Sequence, residues 1–189
     1  MSYRFPVMPS RARLRDAQAH YRGGGVLTYA TESCFGLGCD PFSAKGLRRI
    51  LAIKGRPNHK GMIVVAAHFA QLKPLLAPLS AADEQRLHQF WPGPVTLLLP
   101  ASPKVLPLLR GRHQQIAVRV TAHPDTAALC RVLGPLVSTS ANPAGQRSLR
   151  QYRACRRLFS QRTLVLKGRT GRARRPSTII DFASGRVLR

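Results

Sequence analysis

Short apolar runs and amphipathic helical patterns alternate along this chain, with glycine or proline at most of the changes. That alternation limits the possible folds more than any other feature. Val26 to Ala30, Met62 to Ala67, Val95 to Leu99, Ile116 to Val120 and Leu136 to Ser138 have the length and apolar character of strands. Helical patterns lie between them. Ser10 to Arg22 ends at Gly23-Gly24-Gly25, and the helix after Ser43 carries Leu47, Ile50 and Leu51 on one stripe before Gly55 and Pro57 stop it. Ser80 with Asp83 reads as a capping box opening a helix that runs to about Trp91, and His123 to Leu133 is helical. A basic helix is expected over Leu149 to Phe159, with terminal strands at Leu164 to Leu166, Thr178 to Asp181 and Val187 to Leu188. Thr31 to Asp40 reads as a tight loop whose Gly36 and Gly38 allow close approach, and Pro100 to Gln115 as a proline-rich basic connection. Interspersed elements argue an α/β sheet covered by helices, and 189 residues suit one domain over 1–189.

Two polar clusters close apolar segments. Lys54-Gly55-Arg56 ends a helix, and Lys54 continues the apolar stripe at i+7 from Leu47, so its cation points toward the buried side. Lysine and arginine one residue apart offer a mobile charge and a rigid fork to phosphate, although a helix C-terminus favours cations in any case. Ser138-Thr139-Ser140-Ala141-Asn142 ends a strand, with Ser138 and Ser140 on one face and Asn142 at the turn. Such a run binds ribose, phosphate or a carboxylate, or satisfies its own backbone. Arg119 is a lone cation in the apolar strand Ala117-Val118-Arg119-Val120. A buried guanidinium needs an anion, and Glu32, Asp181 or a ligand carboxylate would serve. Trp91-Pro92-Gly93-Pro94 reads as a corner anchored by a buried Trp.

Charge narrows the partners. Lys and Arg number 31 against 7 acids, a net charge of +24, which favours polyanions: nucleotide, RNA or DNA. From Arg147 onward, thirteen basic residues face the single acid Asp181. No 18-residue apolar run suggests a membrane span, and the N-terminus lacks the apolar stretch of a secretory signal, so a cytoplasmic protein is expected. Cys34, Cys39, Cys130 and Cys155 have neither zinc-site nor disulfide-framework spacing, and reduced thiols are expected. No metal ligand set, P-loop or Ser-His-Asp arrangement is visible.

The order of motifs is informative. Thr31-Glu32 with Phe35-Gly36-Leu37-Gly38, Lys54-Gly55-Arg56-Pro57, Trp91-Pro92-Gly93-Pro94-Val95-Thr96, Ala117-Val118-Arg119-Val120, Ser138-Thr139-Ser140-Ala141-Asn142 and Pro176-Ser177-Thr178-Ile179-Ile180-Asp181 closely resemble the TsaC/YrdC family, over about Gly23 to Arg189. The length resembles the family's short single-domain form. The resemblance implies a strongly twisted mixed β-sheet flanked by helices, with a concave electropositive cleft. It implies an L-threonylcarbamoyladenylate synthase, a nucleotidyltransferase that makes threonylcarbamoyl-AMP and pyrophosphate from L-threonine, bicarbonate and ATP. The product would pass to the tRNA threonylcarbamoyl-transfer proteins for modification of adenosine 37. Mg²⁺ would arrive on the ATP phosphates.

By the same resemblance, Lys54 and Arg56 hold the triphosphate as catalytic residues, and Ser140 and Asn142 contact the nucleotide. Gln115, Ser148 and Arg189 are further ATP-binding candidates. Thr31, Arg119, Ser138 and Ser177 match threonine-binding positions, with Arg119 on the carboxylate. The family usually has Pro-Thr-Glu where this chain has Ala30-Thr31-Glu32, a change that loosens the strand exit. Two alternatives differ in class. A non-catalytic RNA- or ribosome-binding protein would use the basic tract from Arg147 to Arg175, with steep salt dependence and no response to threonine. A carbamoyl-adenylate activity, as in hydrogenase maturation proteins, would belong to a chain with acylphosphatase and zinc-finger modules.

Overall fold

The computed structural model describes residues 10–189. The Ser10 hydroxyl accepts from the Arg13 N–H (3.3 Å) and so opens α1 (Arg11–Arg22), which stops at Gly23. β1 (Leu27–Ala30) and β2 (Phe35–Gly38) follow as an antiparallel pair. Ser43 caps α2 (Ala44–Lys54) through the Gly46 N–H, and Gly55 ends it in the left-handed region at φ 58. Next come β3 (Ile63–Ala66), α3 (Ala81–Leu87), β4 (Val95–Pro100), the single turn α4 (Pro107–Arg110) and β5 (Gln115–Val120). α5 (Pro124–Leu133), β6 (Leu136–Ser140), α6 (Tyr152–Phe159), β7 (Leu164–Val165) and β8 (Thr178–Asp181) complete the chain.

The strands form one mixed sheet in the order β7-β1-β2-β6-β3-β5-β4-β8. Strand alternation gives the sheet two apolar faces. On one, Leu27, Tyr29, Val65 and Leu136 pack against Ala17 and Tyr21 of α1 and Leu129 and Cys130 of α5. On the other, Val64, Leu97, Leu99, Val118 and Val137 pack against α2, α3, α4 and α6 through residues such as Ile50, Leu87, Leu109 and Phe159. No helix among the described residues is long and apolar enough to cross a membrane.

Several elements depart from expectation. The Thr31 to Asp40 segment contains a strand, β2, wedged between β1 and β6. Half of its Phe-Gly-Leu-Gly sequence is glycine, which conceals the alternation. The glycines are there because neighbours crowd in: a Cβ on Gly38 would stand 2.3 Å from the Val137 carbonyl oxygen. β6 runs two residues beyond Ser138, because Ser140 and Thr139 pair with Gly36 and Leu37. α6 begins at Tyr152 rather than Leu149, whose carbonyl is taken by the Phe35 N–H (2.8 Å). α3 stops at Leu87, and turns carry the chain to Trp91, which is buried and donates from Nε1 to the Val95 carbonyl (2.8 Å). The expected strand at Val187 to Leu188 is a single bridge from Val187 to Ile180.

Candidate active site

The face of the sheet that carries α1 and α5 is left uncovered further along, and a cavity of about 400 Å³ lies there. Register sets its floor. Ser138 of β6 pairs with Ile63 of β3, Ile63 with Ala117 of β5, Ala117 with Leu98 of β4, and Leu98 with Asp181 of β8. Paired residues point the same way, so one row of side chains crosses five strands. Burial alternates accordingly: Gln115 and Ala117 are partly exposed while Ile116 and Val118 are buried, and Ser138 and Ser140 are partly exposed around buried Thr139.

Among the described residues, the wall holds Arg56, Arg110, Arg119 and Arg189 and no Asp or Glu. Arg119, 6% exposed, is ion-paired with Glu32: its Nη2 lies 3.1 Å from Glu32 Oε2. Thus Glu32 is the acid that meets Arg119, and Asp181 instead accepts from Gln115 Nε2 (3.2 Å). Thr121 Oγ1 donates to the second Glu32 oxygen at 2.6 Å, so that carboxylate is held on both sides. Arg56 is anchored by donation from Nη2 to the Gly61 (2.7 Å) and Lys60 (3.2 Å) carbonyls. Arg189 donates to the Ser177 carbonyl through Nε and Nη2, and Ser177 Oγ meets Thr96 Oγ1 at 2.9 Å.

These cations press on one another. Burial, then the charge of Arg189, lowers the pKa of Arg56; burial, then the charge of Arg119, lowers that of Arg189. The Nε atoms of Arg56 and Arg119 are buried with no hydrogen-bond partner among the described residues. Buried donors without acceptors cost free energy, and an anion in the cavity would relieve both that cost and the mutual repulsion.

Of the residues expected from sequence, Thr31, Arg56, Gln115, Arg119, Ser138, Ser140, Ser148, Ser177 and Arg189 line this cavity. Lys54 and Asn142 stand behind its wall. Lys54, 5% exposed, donates from Nζ to the Ser140 carbonyl (2.6 Å), the Asn142 carbonyl (2.8 Å) and Asn142 Oδ1 (3.3 Å). Burial, then Arg56, brings its pKa from 10.5 down to about 8. Asn142 turns its amide back onto the Pro143 and Gln146 carbonyls, closing the turn that carries Ser140. Sequence reasoning passed over Arg110 and His113, which reach the cavity from the basic connection. Pro107 followed by Gly111 is the start-and-stop signal that marks α4 and would have drawn attention to them.

A family model described as telomere recombination, covering Sua5, YciO and YrdC, matches residues 19–189. The chain belongs to the Sua5/YciO/YrdC family. Within it, this sequence is 65% identical over 185 residues to a threonylcarbamoyl-AMP synthase of Laribacter hongkongensis, covering 98% of this chain and 100% of that one. It is 60% identical to a threonylcarbamoyl-AMP synthase of Chromobacterium violaceum, covering 97% and 96%. Sua5 of P. abyssi in complex with L-threonine superposes with a TM-score of 0.82 at 30% identity, over 89% of this chain and 50% of that longer one. YciO of E. coli shares the fold at a TM-score of 0.79 and 24% identity, over 93% and 86%.

Proposed function

We propose that this chain is a threonylcarbamoyl-AMP synthase acting as a nucleotidyltransferase on L-threonine, bicarbonate and ATP. One observation carries the reading: among the described residues, Arg56, Arg119 and Arg189 converge on one cavity whose wall holds no carboxylate, and two of them keep a buried, unpartnered Nε. Such a site is built for a ligand with more than one negative charge. The family and its synthase relatives support ATP and a threonine-derived carbamate as that ligand.

The reaction joins two anions. Threonine's amine, once deprotonated, takes up bicarbonate as a carbamate with loss of water. A carbamate oxygen then attacks the α-phosphorus, and the bond to pyrophosphate breaks with its electron pair on the leaving group. Charge neutralisation and in-line positioning are therefore the protein's work. Arg119, steadied by Glu32, receives the threonine carboxylate beside the hydroxyls of Thr31, Ser138 and Ser177. Arg56 and Arg189 face the phosphates, with Ser140 and Ser148 on the nucleotide. Lys54 acts from behind the wall, holding the Ser140 to Asn142 turn and adding its charge at short range. The wall offers no carboxylate and thus does not fit a protein-held Mg²⁺, so the ion travels with the triphosphate. The whole of 1–189 works as one unit in the cytoplasm, and its product goes to proteins that transfer it to tRNA.

The test is mass detection of threonylcarbamoyl-AMP from threonine, bicarbonate and ATP, with pyrophosphate release that requires threonine. Arg56→Ala and Lys54→Ala are expected to lower that release by about 100-fold or more while circular dichroism stays native. Turnover at the wild-type rate in both variants would remove these residues from the mechanism. The RNA-only alternative predicts no threonine dependence at all.

A further inference from the structure

Gln115 is the one side-chain amide in the cavity wall among the described residues. Leu98, Ala117, Ile179 and Leu188 supply aliphatic surface, and Ile63 extends it across the floor. Arg110, which lines the same cavity, is turned onto the His113 carbonyl (Nη1 to O, 2.8 Å). A planar base buries its faces against such carbon and needs its polar edge read by something with a defined donor or acceptor.

The Gln115 amide is set in one orientation. Asp181 Oδ2 faces it at 3.2 Å, and an ionised carboxylate only accepts, so the NH₂ group must point to Asp181. Asp181 is itself held: Oδ1 accepts from the Ser184 N–H at 2.9 Å. That bond, then the one from Gln115, keeps the Asp181 carboxyl below the usual carboxylate range and therefore ionised. With its NH₂ committed, Gln115 shows the cavity its Oε1, an acceptor.

Resting on the synthase reading above, we propose that Gln115, oriented by Asp181, selects the base of the nucleotide by accepting from the 6-amino group of adenine. A 6-oxo purine places an acceptor against an acceptor and is rejected. Gln115 touches the substrate, and Asp181 is a positioning residue acting through it.

The comparison of ATP with ITP, whose base has a 6-oxo acceptor in place of the amino donor and an N1–H in place of an acceptor, reads the selection along that edge. Wild-type protein is expected to favour ATP in kcat/KM by about tenfold or more, the value of one well-made hydrogen bond against an unmade one. Gln115→Leu removes the reader and brings the ratio near one. Asp181→Asn is the sharper arm. Its oxygen stays on the Ser184 N–H, its new NH₂ faces Gln115, and the Gln115 amide turns over to show the cavity a donor. The preference then moves toward ITP, an outcome that a merely structural role for Asp181 does not produce. Unchanged ATP-to-ITP ratios in both variants would overturn the proposal, as would equal use of the two nucleotides by the wild type. Calorimetric binding of ATP and ITP gives the same ratio without turnover. Absent threonine-dependent chemistry with selective ATP binding would therefore defeat the synthase reading alone, and chemistry without selection would defeat this one alone.

Discussion

Lys54 donates to an oxygen 86 residues further along the chain, and that contact changes what its charge is for. The ammonium ties the end of α2 to the turn after β6, with three oxygens around it, while burial and Arg56 make its proton easier to lose. The sign is fixed by linkage. The folded value, about 8, lies below the ordinary 10.5, so in that interval the unfolded chain holds the extra proton. Raising pH from 8 to 10.5 therefore favours the folded state at this residue. Urea unfolding of the wild type and Lys54→Met across this range should show the wild type gaining on the variant, and parallel curves would exclude titration of Lys54 there. Activity moves the other way, since the neutral amine no longer brings a charge to Ser140: kcat/KM should fall on the alkaline side, with Lys54→Arg lacking that limb. Ala30 makes a similar point. Where the family has proline, the strand exit here is secured by Thr126 Oγ1 donating to the Ala30 carbonyl (2.7 Å) and Thr31 Oγ1 to the Cys34 carbonyl (2.7 Å). The loosening expected from sequence is offset by contacts from elsewhere.

Among the elements, those with a local start or stop signal form where their sequence places them. Ser80 Oγ accepts from the Asp83 N–H (3.0 Å) and donates to its carboxylate (2.8 Å), and α3 begins at the next residue. Removing that cap by Ser80→Ala should cost about 1 kcal/mol of stability in thermal or urea unfolding. The synthase activity should not change, because α3 packs through Leu87 on the face of the sheet away from the cavity. A large loss of activity would mean that the two faces are coupled. β2 behaves differently. Its Phe-Gly-Leu-Gly sequence has no strand pattern of its own, and it is a strand because β1 and β6 offer hydrogen bonds on both sides. Misreading it as a loop cost little for the site, since the close approach expected of its glycines is what the packing uses. α4 was hidden for another reason: a single turn is too short to show periodicity, yet it delivers Arg110.

For the whole molecule, the net charge of +24 and the arginine-lined cavity act in the same direction on an incoming triphosphate. Attraction of this kind is screened with a Debye length of about 10 Å at 0.1 M salt. KM for ATP should accordingly rise several-fold from low to moderate salt with kcat nearly constant, whereas a flat KM would show that surface charge contributes little to capture. The +24 was plain from composition, as were the helix caps, the α/β class and the chemistry-bearing residue types. Their spacing also placed Lys54 on the buried side of its helix. What the amino-acid order alone determines is local, because caps, stops and apolar periodicity act between residues a few positions apart. Only the tertiary structure decided that Glu32, rather than Asp181, meets Arg119, that Asp181 orients Gln115, and that Lys54 stands behind the wall instead of in it. Those outcomes depend on the register of strands far apart in the chain, and register is set by packing of the entire sheet, which no short stretch of sequence contains.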